Sequence, residues 1–356
     1  MSDPVYKPPF SICVVIPAYR VVKHIAQVIE NIPFFVQHII LVDDACPDGS
    51  GAYVESLQDK RVEILYCTTN GGVGAATMMG FHHGAHLGYD ILIKIDGDGQ
   101  MDPAHLSSLL APLLTEKAAY SKANRFWHIN DLNTMPIARK IGNIGLSFLT
   151  KFASGHWKIF DPTNGYVAIR TDVWRLLNHK RLQERYFFEI SLLIELGALG
   201  FQVYDVPLPA YYGDEKSSLS IWKTLCTFPY ALFKGTFRRI FIRHFWREFT
   251  AVAVLLSTGI PLLLWGLCFG LYSWKASILS EQFTSAGTVM LAGMPFMLGI
   301  IFCLHALMLD ISGMFVSQTG VYQNPFHTLH LLTNMIPTSE HIGKQHKHIH
   351  DEGHKL

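Results

Sequence analysis

The run IDGDGQMDP sets Asp96, Asp98 and Gln100 directly after a short apolar stretch, ILIKI at 91–95. Two carboxylates and an amide carbonyl at alternate positions are hard oxygen donors. Such a set suits Mg²⁺ or Mn²⁺ bridging a substrate diphosphate. Asp-Gly pairs also form turns, but the strand ends directly at the first Asp, which favours the metal. Asp43-Asp44 closes a second apolar run and leads into CPDGSG. One carboxylate there is suited to a nucleobase N–H or a ribose hydroxyl, the other to capping the turn. NGGVGAA at 70–76 places Asn70, Gly71 and Gly72 before a helix, where exposed backbone N–H groups favour phosphate. It is not a dinucleotide fingerprint, which belongs after the first strand, where this chain has IPAYR. Arg125 in ANRF and Arg139-Lys140 in IARKIGN are either phosphate clamps or ordinary solvated charges. Asp161 in FDPTNGY is open between a base, a cap and a turn former.

Strands must bring these residues together. ICVVI at 12–16, HIILV at 38–42, VEILYC at 62–67 and ILIKI at 91–95 are short, β-branched runs. Helical spacing separates them, over about 21–32, 49–58 and 73–87. Alternation of this kind predicts an α/β domain with a mostly parallel sheet covered on both faces. Ligands of such sheets bind at the carboxyl ends of the strands. Pro17-Ala18-Tyr19, Asp43-Asp44, Asn70-Gly71-Gly72 and Asp96-Gly97-Asp98 all fall there. Residues 118–215 add a helix near 137–152, a strand near 165–169, a helix at 186–199 and FQVYDVPLP at 201–209. No Gly/Ser/Pro-rich linker separates them, so they read as the acceptor half of the same domain.

Further on the character changes. Residues 220–247 mix aromatics with Lys223, Lys234, Arg238, Arg239, Arg243 and Arg247 and hold no acidic residue. Such a segment is predicted to lie amphipathically in the lipid headgroup layer. Two apolar stretches follow, at about 249–272 and 288–311. Each is long enough to cross a ~30 Å hydrocarbon core at ~1.5 Å per residue. Basic residues crowd before the first, while the connecting loop carries only Lys275 and Glu281. The positive-inside pattern then places the catalytic domain on the cytoplasmic face of a multi-pass inner-membrane protein.

The chain of 356 residues has 49% hydrophobic residues and a mean hydropathy of +0.22, an excess held mostly by 249–312. A net charge of +1 gives no sign of nucleic acid as a partner. Six scattered cysteines without CxxC spacing read as small apolar residues in a reducing compartment. MSDPVYKPPF lacks the pattern of a signal peptide, so the front of the protein is expected to stay where it is made. The tail histidines 341, 346, 348, 350 and 354 are loosely spaced and read as a polar end rather than a metal site. The expected organisation is a catalytic domain over 1–219, an amphipathic segment over 220–247, two transmembrane helices over 248–312 and a cytoplasmic tail over 313–356.

Taken in order, VVIPAYR, LVDDACPDGSG, DGDGQMDP and DVPLPAYYGDEKSSL resemble glycosyltransferase family 2. Within it they are most similar to the dolichyl-phosphate-mannose-synthase-like polyprenyl-phosphate glycosyltransferases. The resemblance covers about 11–220 and the paired apolar helices. It implies a GT-A (Rossmann-like) fold and a nucleotide-sugar, with uridine the default base, held by Pro17, Tyr19 and the Asp43-Asp44 region. It also implies a metal on Asp96, Asp98 and Gln100, and Arg125 and Arg139 facing the donor diphosphate or lipid phosphate. A polyprenyl-phosphate acceptor, contact with membrane lipids and possible homo-oligomers complete the implied partners. Two features depart from the family: Val73 stands where a basic residue is frequent in the glycine loop, and Val167 where many relatives carry the Arg of a GFR sequence. Rival readings are a processive polysaccharide synthase and a non-catalytic nucleotide-sugar sensor or scaffold. The former carries Q-x-x-R-W, which Gln183-Glu184-Arg185-Tyr186 approaches but lacks.

Overall fold

A computed structural model describes residues 10–115, 118–125, 137–208 and 221–318. Side chains are described within these except at 137–141, 221–227 and 314–318. Most of DVPLPAYYGDEKSSL and the histidine-bearing tail lie outside the described residues.

The chain opens with β1 (Ile12–Ala18), α1 (Val22–Glu30), β2 (His38–Asp43), α2 (Ser50–Ser56), β3 (Val62–Tyr66), α3 (Val73–His86) and β4 (Ile91–Lys94). The four strands are parallel in the order β3-β2-β1-β4. Because β2 and β4 lie on opposite sides of β1, a crevice opens at the carboxyl ends of β1 and β4. Open α/β sheets bind ligands at such a switch point.

The second half adds α4 (Leu106–Leu114), β5 (Tyr120–Asn124), α5 (Ile137–Ser154), β6 (Val167–Arg170), α6 (Thr171–Leu176), α7 (Phe188–Leu199) and β7 (Val203–Pro207). Here the sheet departs from simple parallel order: β6 is antiparallel to both β4 and β5, and β7 runs parallel to β5. Two reversals restore the direction, so β5 ends at the same edge as β1, β2 and β4. The expected strand near 165–169 begins later, because Asn164 and Gly165 serve the turn before it. Two apolar clusters sandwich the sheet. One joins Val14, Ile16 and Ile93 to Ile25, Leu106 and Leu110. The other joins Val15, Ile40 and Leu92 to Phe81, Trp174 and Phe188. This is the GT-A-like mixed α/β domain that the resemblance implies.

Beyond it come α8 (Ile221–Ile240), a π-helical turn (Phe241–Arg247), α9 (Ala251–Ser280) and α10 (Ala286–Gln318). α9 and α10 pack on each other as an antiparallel hairpin. Their apolar side chains remain largely exposed, including Leu264, Trp265, Met297 and Leu304. Helices this apolar and this exposed are unlike the core of a water-soluble fold and are candidate membrane spans.

The basic segment corrects the headgroup expectation in part. Arg238 forks onto Glu195 of α7. Arg239, 1% exposed, forks onto Asp310 of α10 at 2.8 and 2.9 Å. His244 also reaches Asp310, at 2.9 Å. Residues 220–247 are without acids, so their counter-charges come from helices distant in sequence. Burying a guanidinium requires such a partner.

Candidate active site

Four carboxyl-terminal strand ends and the turn before β6 build one sheet edge. β4 stops at Lys94, whose buried ammonium bridges Asp96 Oδ1 at 2.6 Å and Glu189 Oε1, in the first turn of α7, at 3.1 Å. Burial opposes the charge, but the carboxylates of Asp96 and Glu189 outweigh it and hold the pKa above the usual lysine range. A fixed cation therefore grips one oxygen of Asp96 and sets its rotamer. Gly165 lies opposite; a Cβ there would strike both Lys94 Nζ and Asp96 Oδ2. The glycine is needed for clearance over the carboxylate. Asp98 is half-buried, and its Oδ1 accepts from the backbone N–H of Gln100 at 3.0 Å. Gly97 is buried between these two aspartates.

This donor set fits a hard divalent cation. Both carboxylates are partly open. Among the described residues no group of three or more His, Cys, Asp or Glu is gathered to hold a metal. From the described residues a cation here would take these two side-chain carboxylates, with the Gln100 carbonyl, substrate oxygens and water available to complete its shell.

At the end of β2, Asp43 and Asp44 are both buried and engaged internally. Asp43 accepts from the N–H groups of Cys46 at 2.7 Å and Gly51 at 2.8 Å, capping the turn into α2. Asp44 accepts from Gly71 and Gly72, each at 2.8 Å, and its carbonyl accepts from Asn70 Nδ2 at 3.1 Å. The glycine loop thus differs from the expected phosphate cradle, since a buried carboxylate takes two of its amides. Its small residues serve close approach instead. A Cβ at Gly72, whose φ is +94°, would lie 2.8 Å from Arg185 Cγ and 3.0 Å from the Glu184 carbonyl. Ala75 N–H donates to that carbonyl at 2.8 Å. Gln183-Glu184-Arg185 therefore abuts the site through the glycine loop.

On β1, Pro17 is half-buried, Ala18 is fully buried and Tyr19 is 43% exposed. The Ala18 carbonyl accepts from Asp44 N–H at 3.1 Å. Tyr19 is the side chain of the three that is open to a ligand, with the Arg20 guanidinium 5.4 Å from its ring centre. Ala18 has the correct location but its methyl group is packed in the core.

Arg125 leaves the end of β5 and meets Asp161 in a two-point fork, Nε to Oδ2 at 2.7 Å and Nη2 to Oδ1 at 2.8 Å. Asn164 Nδ2 donates to the same carboxylate at 3.0 Å. Burial would raise the Asp161 carboxyl, yet Arg125, Lys122 and Asn164 outweigh it and hold it below the usual range. Its left-handed φ of +48° is a backbone strain tolerated because these bonds fix the turn. Asp161 is thus held as the anionic partner of Arg125 and fixes the orientation of that guanidinium. Arg139 lies in α5, and its side chain is outside the described residues.

Lys94, Glu189, Lys122 and Asp205 escape a reading from sequence. Lys122 is fully buried and donates to Asp205 at 3.1 Å and to the Phe160 carbonyl at 3.0 Å. Asp205 also accepts from Asn124 Nδ2 at 2.8 Å and Phe160 N–H at 2.9 Å, which braces the loop that carries Asp161. The available signal is a lysine inside a buried strand, once in ILIKI and once in YSKAN.

Residues 13–177 match the model of Glycosyl transferase family 2. The chain is 27% identical over 216 residues to UDP-N-acetylglucosamine–dolichyl-phosphate N-acetylglucosaminyltransferase of Methanococcus voltae, covering 56% of this chain and 86% of that one. It is 29% identical over 201 residues to polyprenol monophosphomannose synthase of Mycolicibacterium smegmatis, covering 55% and 75%. Among solved structures, glucosyl-3-phosphoglycerate synthase of Mycobacterium tuberculosis gives a TM-score of 0.49 at 18% identity, over 65% of this chain and 78% of that one. The matched segment runs from β1 through α6 and contains Asp43, Asp96, Asp98, Arg125 and Asp161, and the domain built from it belongs to glycosyltransferase family 2.

Proposed function

We propose that the protein transfers a sugar from a nucleotide-sugar, with uridine the default nucleotide, to a polyprenyl phosphate, inverting the anomeric centre. The observation that carries this reading is the joining of one sheet edge bearing Asp96, Asp98 and Arg125 to a hairpin of two exposed apolar helices. Relatives named for transfer to dolichyl phosphate and for polyprenol monophosphomannose synthesis support the acceptor class. Their differing sugars leave the donor sugar to experiment.

A phosphate monoester is largely dianionic at neutral pH, its second pKa being about 6. It is already a nucleophile, and a general base is not required. A Mg²⁺ or Mn²⁺ ion held by Asp96, Asp98 and Gln100 would supply electrostatic stabilisation to the departing nucleoside diphosphate. Lys94 holds Asp96 in one orientation for that purpose. Tyr19 offers a ring at the rim for the nucleotide. Arg125, fixed by Asp161, supplies positive charge at the rim for a phosphate. α9 and α10 anchor the domain in the membrane in which the acceptor resides, and the domain faces the cytoplasm by the charge bias of its flanks.

The test is reconstitution in nanodiscs with undecaprenyl phosphate and a panel of nucleotide-sugars, with mass spectrometry of the lipid. A single lipid-phosphate-linked sugar is expected, and Asp98→Ala should abolish most turnover in a folded protein. A growing polymer would favour a processive synthase, and binding without turnover would leave a sensor. An active Asp98→Ala protein that resists EDTA would remove the metal role.

A further inference from the structure

The segment Gln183-Glu184-Arg185 is mounted on the glycine loop. Ala75 N–H donates to the Glu184 carbonyl at 2.8 Å, and Phe188 N–H to the Arg185 carbonyl at 2.9 Å. Gln183 N–H donates to Ser191 Oγ at 3.0 Å. A Cβ at Gly74 would lie 2.5 Å from the Gln183 carbonyl oxygen, and one at Gly72 would lie 2.8 Å from Arg185 Cγ. Backbone bonds and close approach therefore fix the stem of Arg185 over Gly72, while the residue stays exposed. Among the described residues no carboxylate pairs with its guanidinium.

This position belongs to the ligand-binding edge. Gly71 and Gly72 donate to Asp44 at the end of β2. A few residues beyond Arg185, Glu189 takes the Lys94 ammonium that also grips Asp96. The short stretch 184–189 thus touches the glycine loop at one end and the support of the metal-binding carboxylate at the other. The edge is rich in anions, with Asp43, Asp44, Asp96 and Asp98 at the strand ends. Lys94 is taken by Asp96 and Glu189, and Arg125 is forked by Asp161. A divalent cation on Asp96 and Asp98 balances no more than those two carboxylates. A nucleoside diphosphate brings further negative charge, and the loop NGGVGAA at 70–76 holds no basic residue to receive it. The electrostatic demand falls on an exposed cation mounted beside the loop.

We propose that Arg185 is a donor-binding residue: from its mount on the glycine loop, its guanidinium engages the diphosphate of the nucleotide-sugar. The inference rests on the proposed transfer from a nucleotide-sugar, and it adds the group that receives the donor's charge. A planar guanidinium suits the task because it forks onto two phosphate oxygens, whereas an ammonium offers a point charge. The amides of Gly71 and Gly72 are already taken by Asp44. The loop therefore supplies the platform, and Arg185 supplies the charge.

Calorimetry of the full chain in nanodiscs, with MnCl₂ and with UDP and GDP as probes, tests this. Arg185→Met is expected to weaken binding of the nucleoside diphosphate about tenfold or more, as loss of a charge-assisted hydrogen bond does. Thermal unfolding should be unchanged, because the residue is exposed. Two charge-restoring variants separate charge from packing. Arg185→Lys keeps a cation on the same stem, and Arg185→Met/Val73→Lys places one on the loop beside Gly72. At least one of them should recover about half of the lost affinity on a logarithmic scale. If Arg185→Met binds UDP and GDP as the wild type does, Arg185 is a solvated charge and the proposal falls. If affinity is lost and neither charge-restoring variant regains it, the residue acts through the packing of its mount, which also overturns the proposal. Wild-type protein that binds neither UDP nor GDP would remove the nucleotide-sugar reading itself, and the inference with it.

Discussion

Asp161 is the residue at which position and protonation can be separated. Its carboxyl is held below the usual range, so it is ionised throughout the neutral pH range. A depressed pKa contributes stability above the unfolded value near ~4, and that stability is lost as pH falls through the folded value. Asp161→Asn should therefore lower kcat, by about a hundredfold if Arg125 loses its aim. The acid limb of the pH–rate profile should stay near ~6, where the acceptor phosphate titrates. An Asp161→Asn enzyme whose acid limb vanishes would show the carboxylate acting as a base. Lys94 is tested by stability as well as rate. Lys94→Met strands Glu189 and Asp96 without their shared cation, and removal of one partner of a buried ion pair costs about 3–5 kcal/mol. Denaturant unfolding should show that loss, and the double variant with Glu189→Gln should recover part of it. Gly165→Ala is the subtler variant. Its added methyl meets the Asp96 carboxylate, so Mn²⁺ affinity measured by calorimetry should weaken while the fold survives.

At the scale of elements, legibility follows the distance between partners. β1, β2, β3 and β4 are readable because apolar runs of five or so residues report burial locally, and the ends of β2 and β4 lead into the acidic residues. β5 is not, because YSKAN buries Lys122 and Asn124 through Asp205, a partner 83 residues from Lys122. Its polar composition mimics a loop. The loop NGGVGAA shows the same limit: glycine content announces a close approach but does not name what approaches. Asp44, 27 residues earlier than Gly71, takes the amide expected to face phosphate. Asp44→Asn should accordingly loosen the start of α3 and raise KM for the nucleotide-sugar more than it lowers kcat, measurable by steady-state kinetics. α9 and α10 are legible because span length needs only composition. Their sidedness is open to a direct check. A cysteine at Glu281, in the turn between them, should react with an impermeant maleimide from outside intact cells, and one at Lys60 should not. The opposite pattern would defeat the cytoplasmic placement of the site.

For the whole molecule, the decisive contacts are those that fix the catalytic domain on its hairpin. A charged side chain within an apolar span is costly unless partnered, and Asp310 is partnered by Arg239 and His244, which precede α9. The pairing crosses 71 residues and closes α8, the π turn and α10 into one unit, with the end of α5 tied to it through Phe152. As a lipid-facing charge alone, Arg239 would act through surface electrostatics and its effect would fade with added salt. Burial reverses that expectation, because salt screens a buried pair far less. Arg239→Met should leave Asp310 stranded and destabilise the assembled protein by about 3–5 kcal/mol, with little dependence on ionic strength. Asp310→Leu alone should be comparably harmful, since it strands Arg239. The double variant Arg239→Met/Asp310→Leu removes both charges and should regain most of the loss, as replacement of a whole buried pair by apolar groups is often close to neutral. Thermal unfolding of the four proteins in nanodiscs at low and high salt measures all of these terms. If the double variant is as unstable as the sum of the single ones, the two residues act independently, and the junction is held by apolar packing of α5, α7 and α8 around Leu232 instead.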